Sequence, residues 1–133
     1  MKIKYTLPAL FQDSVSRHQD QKALGFVGQK MLTYKEMNEN VYSLTAYLEK
    51  LGIKKGDKVI VPTNSYIASA NAVVHAGGDP VLVDCDPRSF LIDLNQAESA
   101  LKKTGAVFIM PVHLYGNPCP MEEVLQLAEK YGA

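Results

Sequence analysis

Two carboxylates and one histidine are the side chains in this sequence whose positions suggest acid–base chemistry. Asp84 and Asp86 are two residues apart where a predicted strand ends, a spacing that places both carboxylates on one side of an extended segment. Because Pro87 follows directly, a turn-forming role is the stronger interpretation. His113 lies just past another predicted strand, at the edge where open α/β sheets bind ligands. It is a candidate substrate contact, although a lone histidine there is more often a hydrogen-bonded structural residue.

Two further pairs of residues have both a chemical and a structural interpretation. Asn64 and Ser65 precede a predicted helix and could donate hydrogen bonds to an anion at its N-terminus, but N-capping explains both residue types and is preferred. Cys85 and Cys119 have no CxxC spacing and no histidine-rich neighbourhood. This pattern favours reduced thiols over a disulfide or a zinc site, so we expect no metal centre.

The composition is that of one compact domain without a strongly charged partner. The chain has 133 residues, of which 47% are hydrophobic, and this is enough to bury a core. Its 14 basic residues balance 14 acidic ones, a ratio that implies neither nucleic acid nor an anionic membrane surface as a partner. Because no long apolar run occurs, we expect a cytoplasmic protein that does not span a membrane.

The first third of the sequence predicts a helix, a hairpin and a longer helix. The first helix covers residues 8–17, and apolar segments at 23–27 and 30–33 flank Gly28-Gln29, which favours a small hairpin. Thr33 and Glu36 have capping-box spacing. A continuous apolar stripe follows, which Gly52 ends, and its members are Met37, Val41, Leu44, Leu48 and Leu51.

The remaining sequence alternates strands with helices. Strands are predicted at 58–61, 80–84 and 106–110, and helices at about 65–76, 93–103 and 120–131, with Gly77-Gly78 ending the first of these helices. Because the strands are apolar on both faces, they should form a parallel sheet that helices cover on both sides. The expected fold class is therefore α/β: a short, mostly parallel sheet with helices on both faces, preceded by a helix and a hairpin.

Residues 5–58 resemble the opening of the adenylate-forming, AMP-binding enzymes. The matching segments are Lys22-Ala23-Leu24, the run from Leu32 to Asn38, Ala46-Tyr47-Leu48 and the run from Leu51 to Val59. The resemblance covers only the N-terminal segment of those enzymes, which has a structural role. The Ser/Thr/Gly-rich phosphate loop of that family does not occur in this sequence, so no catalytic residue follows from the resemblance.

Residues from about 52 to 133 resemble the DegT/DnrJ/EryC1/StrS family of aminotransferases, which depend on pyridoxal 5'-phosphate (PLP) and act on keto-sugar nucleotides. The matching segments run from Val59 to Ala70, from Ala76 to Asp84 and from Pro111 to Pro118. The resemblance implies part of a fold-type-I large domain, PLP as cofactor and a sugar nucleotide as substrate. We therefore divide the chain into an adenylate-like segment, 1–58, and an aminotransferase-like segment, 59–133.

The aminotransferase resemblance implies one cofactor contact, Tyr66, whose ring would stack on PLP; the alternative is an aromatic packed at a helix start. The family's Gly-Thr phosphate contact has no counterpart in residues 41–45, and its Asp-Ala-Ala strand and Schiff-base lysine would follow Ala133. We therefore expect a hybrid that is inactive alone and binds PLP poorly, with an open sheet edge that favours self-association. The alternatives are a remnant of an acyl-adenylating ligase and a non-enzymatic α/β module.

Overall fold

The computed structural model describes residues 7–25 and 30–133 of the chain. The first elements are α1 (Leu7–His18), β1 (Lys22–Leu24), β2 (Leu32–Thr33) and α2 (Tyr34–Lys50). Strands β1 and β2 pair antiparallel, which confirms the predicted hairpin. The expected connection, Gly28-Gln29, lies outside the described residues.

The start of α2 is fixed by its own sequence. The Thr33 hydroxyl oxygen accepts a hydrogen bond from the Glu36 N–H at 3.2 Å, and the Glu36 carboxylate accepts one from the Thr33 N–H at 2.8 Å. This reciprocal pair confirms the predicted capping box. The predicted stripe is wrong at its end: Leu51 follows the last helical residue and is half-exposed, and Gly52, with a φ of +92°, then turns the chain so that Ile53 is buried in the core.

A parallel sheet of three strands confirms the expected fold class. Strands β3 (Lys58–Pro62), β4 (Asp79–Val83) and β5 (Phe108–Ile109) lie in the order β4-β3-β5, and both neighbours run parallel to β3. Helices α3 (Ala68–His75) and α4 (Leu94–Thr104) connect consecutive strands, and α5 (Met121–Tyr131) follows β5. The central strand β3 is buried on both faces, as a covered parallel sheet requires.

Each face of the sheet packs against a pair of helices. On one face, Ile60 of β3 joins Ala97 and Leu101 of α4, and Leu127 of α5 packs on the same cluster. A surface contact joins these two helices: the Glu98 carboxylate accepts hydrogen bonds from Lys130 at 2.8 Å and from the Tyr131 hydroxyl at 2.6 Å. These donors, with Lys102, lower the pKa of Glu98 to about 2.

The opposite face of the sheet carries α2 and α3. Val59 and Val61 of β3 pack with Ala72 and Val73 of α3 and with Leu48 of α2. Helix α2, all of which belongs to the predicted adenylate-like segment, therefore shares one core cluster with the central strand.

The strand and helix boundaries correct three expectations. Helix α3 begins at Ala68 instead of residue 65, since the chain first makes bends after Pro62. Strand β5 has two residues instead of five, and Val107 before it is exposed. Strand β4 is not covered on both faces, because it lies at the sheet edge and its Leu82 side chain is 55% exposed.

The two glycines after α3 behave as predicted. Gly77 has a φ of +86°, in the left-handed region that ends many helices. A Cβ atom on Gly78 would lie 3.1 Å from both the Asp57 carbonyl oxygen and a methyl group of Val73. Gly77 therefore turns the chain, and Gly78 allows α3 to approach the turn before β3.

Helices α1, α2 and α3 meet in a third cluster, which we call the three-helix junction. Phe11 of α1, Met37 and Val41 of α2 and Ala68 of α3 form its apolar part. Its polar part centres on Gln12, whose side-chain amide nitrogen donates to the side-chain oxygen of Asn38 at 3.1 Å and lies 3.3 Å from His75 Nε2. The front of the chain therefore packs directly against α3. Within the described ranges, no helix is long and apolar enough to cross a membrane.

Candidate functional site

A cavity of about 590 Å³ opens beside the end of β3, between the three-helix junction and the loops of the sheet. Its volume is in the range of small-molecule sites. Five stretches of chain form the largely apolar wall: α1, the β1 strand, the start of α2, the loop after β3, and a 3-10 turn at Leu114–Gly116. The lining residues are Leu10, Phe11, Ser14, Ala23, Leu24, Tyr34, Met37, Asn64, Ser65, Tyr66, Ile67, Leu114 and Tyr115.

Tyr66 lies on the cavity wall and at the edge of the three-helix junction. Its half-buried ring packs against the apolar cluster of that junction. The hydroxyl oxygen is buried and has no hydrogen-bond partner among the described residues. Burial raises the pKa of this phenol, so the hydroxyl stays protonated at neutral pH and can donate a hydrogen bond. Tyr66 therefore packs near the helix start, as the structural alternative requires, and also faces space that a ligand could occupy.

Asn64 and Ser65 do not cap α3, which corrects the preferred prediction for both residues. The N-cap residue is Ile67, and no side chain accepts a hydrogen bond there. The Ser65 hydroxyl instead donates to the Pro62 carbonyl oxygen at 3.1 Å. Within the described ranges, the N–H groups of residues 64–66 donate to no protein acceptor. These N–H groups remain available to an anion near the positive end of the α3 dipole.

The start of α2 also faces the cavity, but its own side chains already cap this helix end. Lys30 contacts the Glu36 carboxylate at 2.8 Å, and this hydrogen bond, followed by that of the Thr33 N–H, lowers the pKa of Glu36 to about 2. The capping box and the Lys30–Glu36 ion pair therefore occupy the helix end that would otherwise attract a phosphate. The Thr45 hydroxyl, about three turns further along α2 and buried, donates to the Val41 carbonyl oxygen.

The acid–base candidates from the sequence have structural roles away from the cavity. The Asp86 carboxylate accepts hydrogen bonds from the Ser89 N–H at 2.8 Å and the Arg88 N–H at 3.0 Å, and these bonds lower its pKa. This geometry confirms the turn-forming role for Asp86, whereas the Asp84 carboxylate accepts a hydrogen bond from the Thr63 hydroxyl at 3.4 Å. His113 Nδ1 accepts a hydrogen bond from the Cys119 N–H at 2.9 Å, which confirms the structural interpretation of this histidine.

The two cysteines are free thiols. Cys119 is buried, and its thiol donates to the Val112 carbonyl oxygen at 3.2 Å. In the part of the chain that the structure covers, no cluster of three or more histidine, cysteine or acidic residues could hold a metal ion.

Two residues of interest have no role in the sequence-based interpretation. Asn71 in α3 is 1% exposed, and its side-chain NH₂ group has no partner in the described structure. Tyr115, in the 3-10 turn, is 78% exposed and has a φ of +55°, which is uncommon for a bulky residue. A polar residue within the apolar run of α3 was a visible signal for Asn71. For Tyr115 the sequence offered only its place after a strand, beside Gly116.

Sequence comparison relates most of the chain to one enzyme family. The sequence profile of the DegT/DnrJ/EryC1/StrS aminotransferase family matches residues 37–133, so the match begins within α2 and not at about residue 52. GDP-perosamine synthase from Caulobacter vibrioides is 46% identical over 95 residues, which cover 71% of this chain and 25% of that protein. The chain thus spans about a quarter of the length of the curated relatives it matches.

Solved structures of the same kind share the fold. NtdA from Bacillus subtilis with bound cofactor PMP matches with a TM-score of 0.64 and 40% identity, over 69% of this chain and 21% of that chain. DesV from S. venezuelae, in complex with a ketimine intermediate, matches with a TM-score of 0.65 and 30% identity, over 95% of this chain and 37% of that chain. The resemblance of residues 5–58 to adenylate-forming enzymes stays a prediction.

Proposed function

Because this chain belongs to the DegT/DnrJ/EryC1/StrS aminotransferase family, we propose that it forms one wall of the cofactor pocket of a PLP-dependent sugar aminotransferase. The observation that carries the proposal is the buried, unpartnered hydroxyl of Tyr66 beside a ligand-sized cavity. The PMP-bound NtdA structure supports PLP as the cofactor. The relative named GDP-perosamine synthase supports a keto-sugar nucleotide as the substrate class.

The residues of the cavity fit parts of the cofactor. The ring of Tyr66 suits the planar pyridine, and its protonated hydroxyl suits a hydrogen-bond acceptor. The free N–H groups of residues 64–66 suit an anionic group. The start of α2 does not suit one, because the N–H groups of Thr33 and Glu36 already donate within the capping box. The proposed phosphate donors are therefore those of the loop after β3.

PLP, when bound, supplies an electron sink that stabilises negative charge next to the substrate amine. The residues of this chain bind and orient it: Tyr66 provides a packing face and a hydrogen-bond donor, and the apolar walls of α1 and the hairpin exclude water. No lysine is among the described residues that line the cavity. A covalent bond to the cofactor would therefore need a lysine that lies elsewhere in sequence or in space.

The proposal is tested by titrating the purified chain with PLP and following the cofactor's visible absorbance. Tyr66→Ala is expected to weaken binding at least tenfold, since it removes both the ring and the hydroxyl. Tyr47→Ala, an exposed position on α2, serves as the matched control and should bind like the wild type. No saturable binding to the wild-type chain, or equal binding by Tyr66→Ala, would contradict the proposal.

The same titration separates the alternative functions. Borohydride reduction of the mixture, followed by peptide mass spectrometry, reveals whether one lysine is labelled; unique labelling would contradict the expectation of an inactive hybrid. ATP-dependent pyrophosphate exchange would favour the adenylating-ligase alternative. A chain that binds neither PLP nor ATP would fit a non-enzymatic α/β module.

Self-association and a cytoplasmic location are further parts of the proposal. Strand β4 pairs only with β3 in the described structure, and Leu82 on it is exposed, so β4 presents an unpaired edge. Sedimentation velocity should therefore show concentration-dependent association that Leu82→Lys reduces. A chain that stays monomeric at all concentrations would contradict the proposed self-association. Cell fractionation tests the location.

A further inference from the structure

Tyr115 presents an aromatic ring to solvent at the rim of the cavity. The ring lines the same space as Tyr66, yet the residue is 78% exposed. Its φ of +55° and ψ of 24° place a bulky side chain in the left-handed region, which is unfavourable. Such conformations persist where the surrounding structure imposes them, and they cluster at functional sites.

The surrounding loop imposes this conformation through hydrogen bonds on both sides of Tyr115. The Gly116 N–H donates to the His113 carbonyl oxygen at 3.2 Å, and the Asn117 N–H donates to the Leu114 carbonyl oxygen at 2.9 Å. His113 is itself held by the Cys119 N–H. The Asn117 side chain reaches the Ser89 carbonyl oxygen at 3.4 Å, which connects this loop to the loop after β4. The ring is therefore held at the rim by a braced turn.

The chemistry of the cavity indicates what this ring could recognise. No charged side chain is among the described lining residues, so the side chains of this wall favour apolar contacts with a ligand. An exposed aromatic face offers stacking to another flat, apolar face. A sugar nucleotide has two such faces: the C–H face of its sugar ring and the plane of its base.

We propose that Tyr115 is a positioning residue whose ring stacks on a flat, apolar face of the sugar-nucleotide substrate at the mouth of the cavity. The inference rests on the proposed function, because that function supplies the substrate class. It adds a residue that contacts the substrate side of the pocket, whereas Tyr66 contacts the cofactor side.

The experiment measures binding of three probes to the purified chain by calorimetry and ligand-observed NMR: GDP-mannose, GMP and mannose 1-phosphate. Tyr115→Ala should bind GDP-mannose about tenfold more weakly, and Tyr115→Phe should bind like the wild type, because only the ring is needed. Phe90→Ala is the matched control: Phe90 is 54% exposed with a φ of +60°, but it does not line the cavity. Of the two faces, GMP carries only the base and mannose 1-phosphate only the sugar ring. The probe whose affinity falls in Tyr115→Ala therefore identifies the face that stacks on the ring.

Three results would overturn the inference: no probe binds the wild-type chain, Tyr115→Ala binds GDP-mannose as the wild type does, or Phe90→Ala weakens binding equally. PLP titration of Tyr115→Ala distinguishes this inference from the proposed function. Unchanged PLP binding places the ring on the substrate side, and an equal loss of PLP affinity contradicts that placement. Tyr115-dependent probe binding by a chain that does not bind PLP would refute the proposed function alone.

Discussion

Replacing Tyr66 by phenylalanine removes one buried oxygen atom from the cavity wall and keeps the ring. In the described structure that oxygen has no hydrogen-bond partner, so the folded protein loses the water contacts of the hydroxyl without compensation. Burial of an unsatisfied hydroxyl costs about 1–3 kcal/mol. Because the hydroxyl itself is buried, we expect Tyr66→Phe to raise the free energy of unfolding by at least about 1 kcal/mol, the lower limit of that range.

Urea unfolding followed by circular dichroism measures this change, and thermal unfolding should show an increase in Tm of roughly 3 °C for a domain of this size. Tyr47→Phe is the control, since its exposed hydroxyl is hydrated in both states. Equal or lower stability of Tyr66→Phe would refute the reasoning and would indicate that a bound water satisfies the hydroxyl. If the hydroxyl donates to the cofactor, saturating PLP should reduce the difference in the free energy of unfolding between Tyr66→Phe and the wild type.

The pH dependence provides a second measurement on the same pair of proteins. Burial raises the pKa of Tyr66 above its usual value of 10.0, so the unfolded chain loses this proton at a lower pH than the folded chain. Wild-type stability should therefore fall as pH rises above about 10, toward the raised value of the folded state. Tyr66→Phe has no phenol at this position, so its stability should fall less over the same pH range. Parallel profiles of stability against pH for the two proteins would contradict the raised pKa of Tyr66.

Three other substitutions test separate features. Thr33→Ala should lower the free energy of unfolding by about 1 kcal/mol, because it removes the capping box of α2; Ser99→Ala, at an exposed hydroxyl inside α4, is the control for urea unfolding. Glu98→Gln should lose less stability in acid than the wild type, because the wild type loses stability as pH falls from the ordinary glutamate pKa of 4.5 to the lowered pKa of about 2. An unchanged dependence of unfolding on acid pH would contradict the lowered pKa of Glu98. Tyr115→Asn should raise the free energy of unfolding by about 1 kcal/mol in urea, since asparagine tolerates a left-handed backbone better, and a decrease would show that the tyrosine ring stabilises the turn.

The parts of the fold that depend on local sequence were predictable. The capping box requires only Thr33 and Glu36 at the right spacing, and both hydrogen bonds form within one turn. The apolar strand around Ile60 likewise predicted a covered parallel sheet. The expectation that both faces of every strand are covered failed, because coverage depends on how the strands and helices pack together. Leu82 has the residue type of a covered strand but lies on an edge, which depends on strand order and not on the local pattern.

The candidate site was less predictable, because five separated stretches of chain form it. Tyr66 came from a family resemblance, whereas its unpartnered hydroxyl depends on burial that the sequence does not show. The prediction that Asn64 and Ser65 cap a helix failed because the chain bends after Pro62 and delays the helix. The backbone of Tyr115 is imposed partly by Cys119, through His113, and no rule of local propensity includes such a contact.

The polar contact at the three-helix junction has a consequence for protein engineering. Gln12 and Asn38 lie before residue 58, whereas His75 lies after it. A chimera joined at residue 58 would thus transplant two members of the contact and inherit the third from its host. Unless that host supplies a histidine or an equivalent acceptor, the Gln12 amide would lose one contact on recombination. A productive crossover would carry Gln12, Asn38 and His75 together, so the exchangeable unit extends through α3.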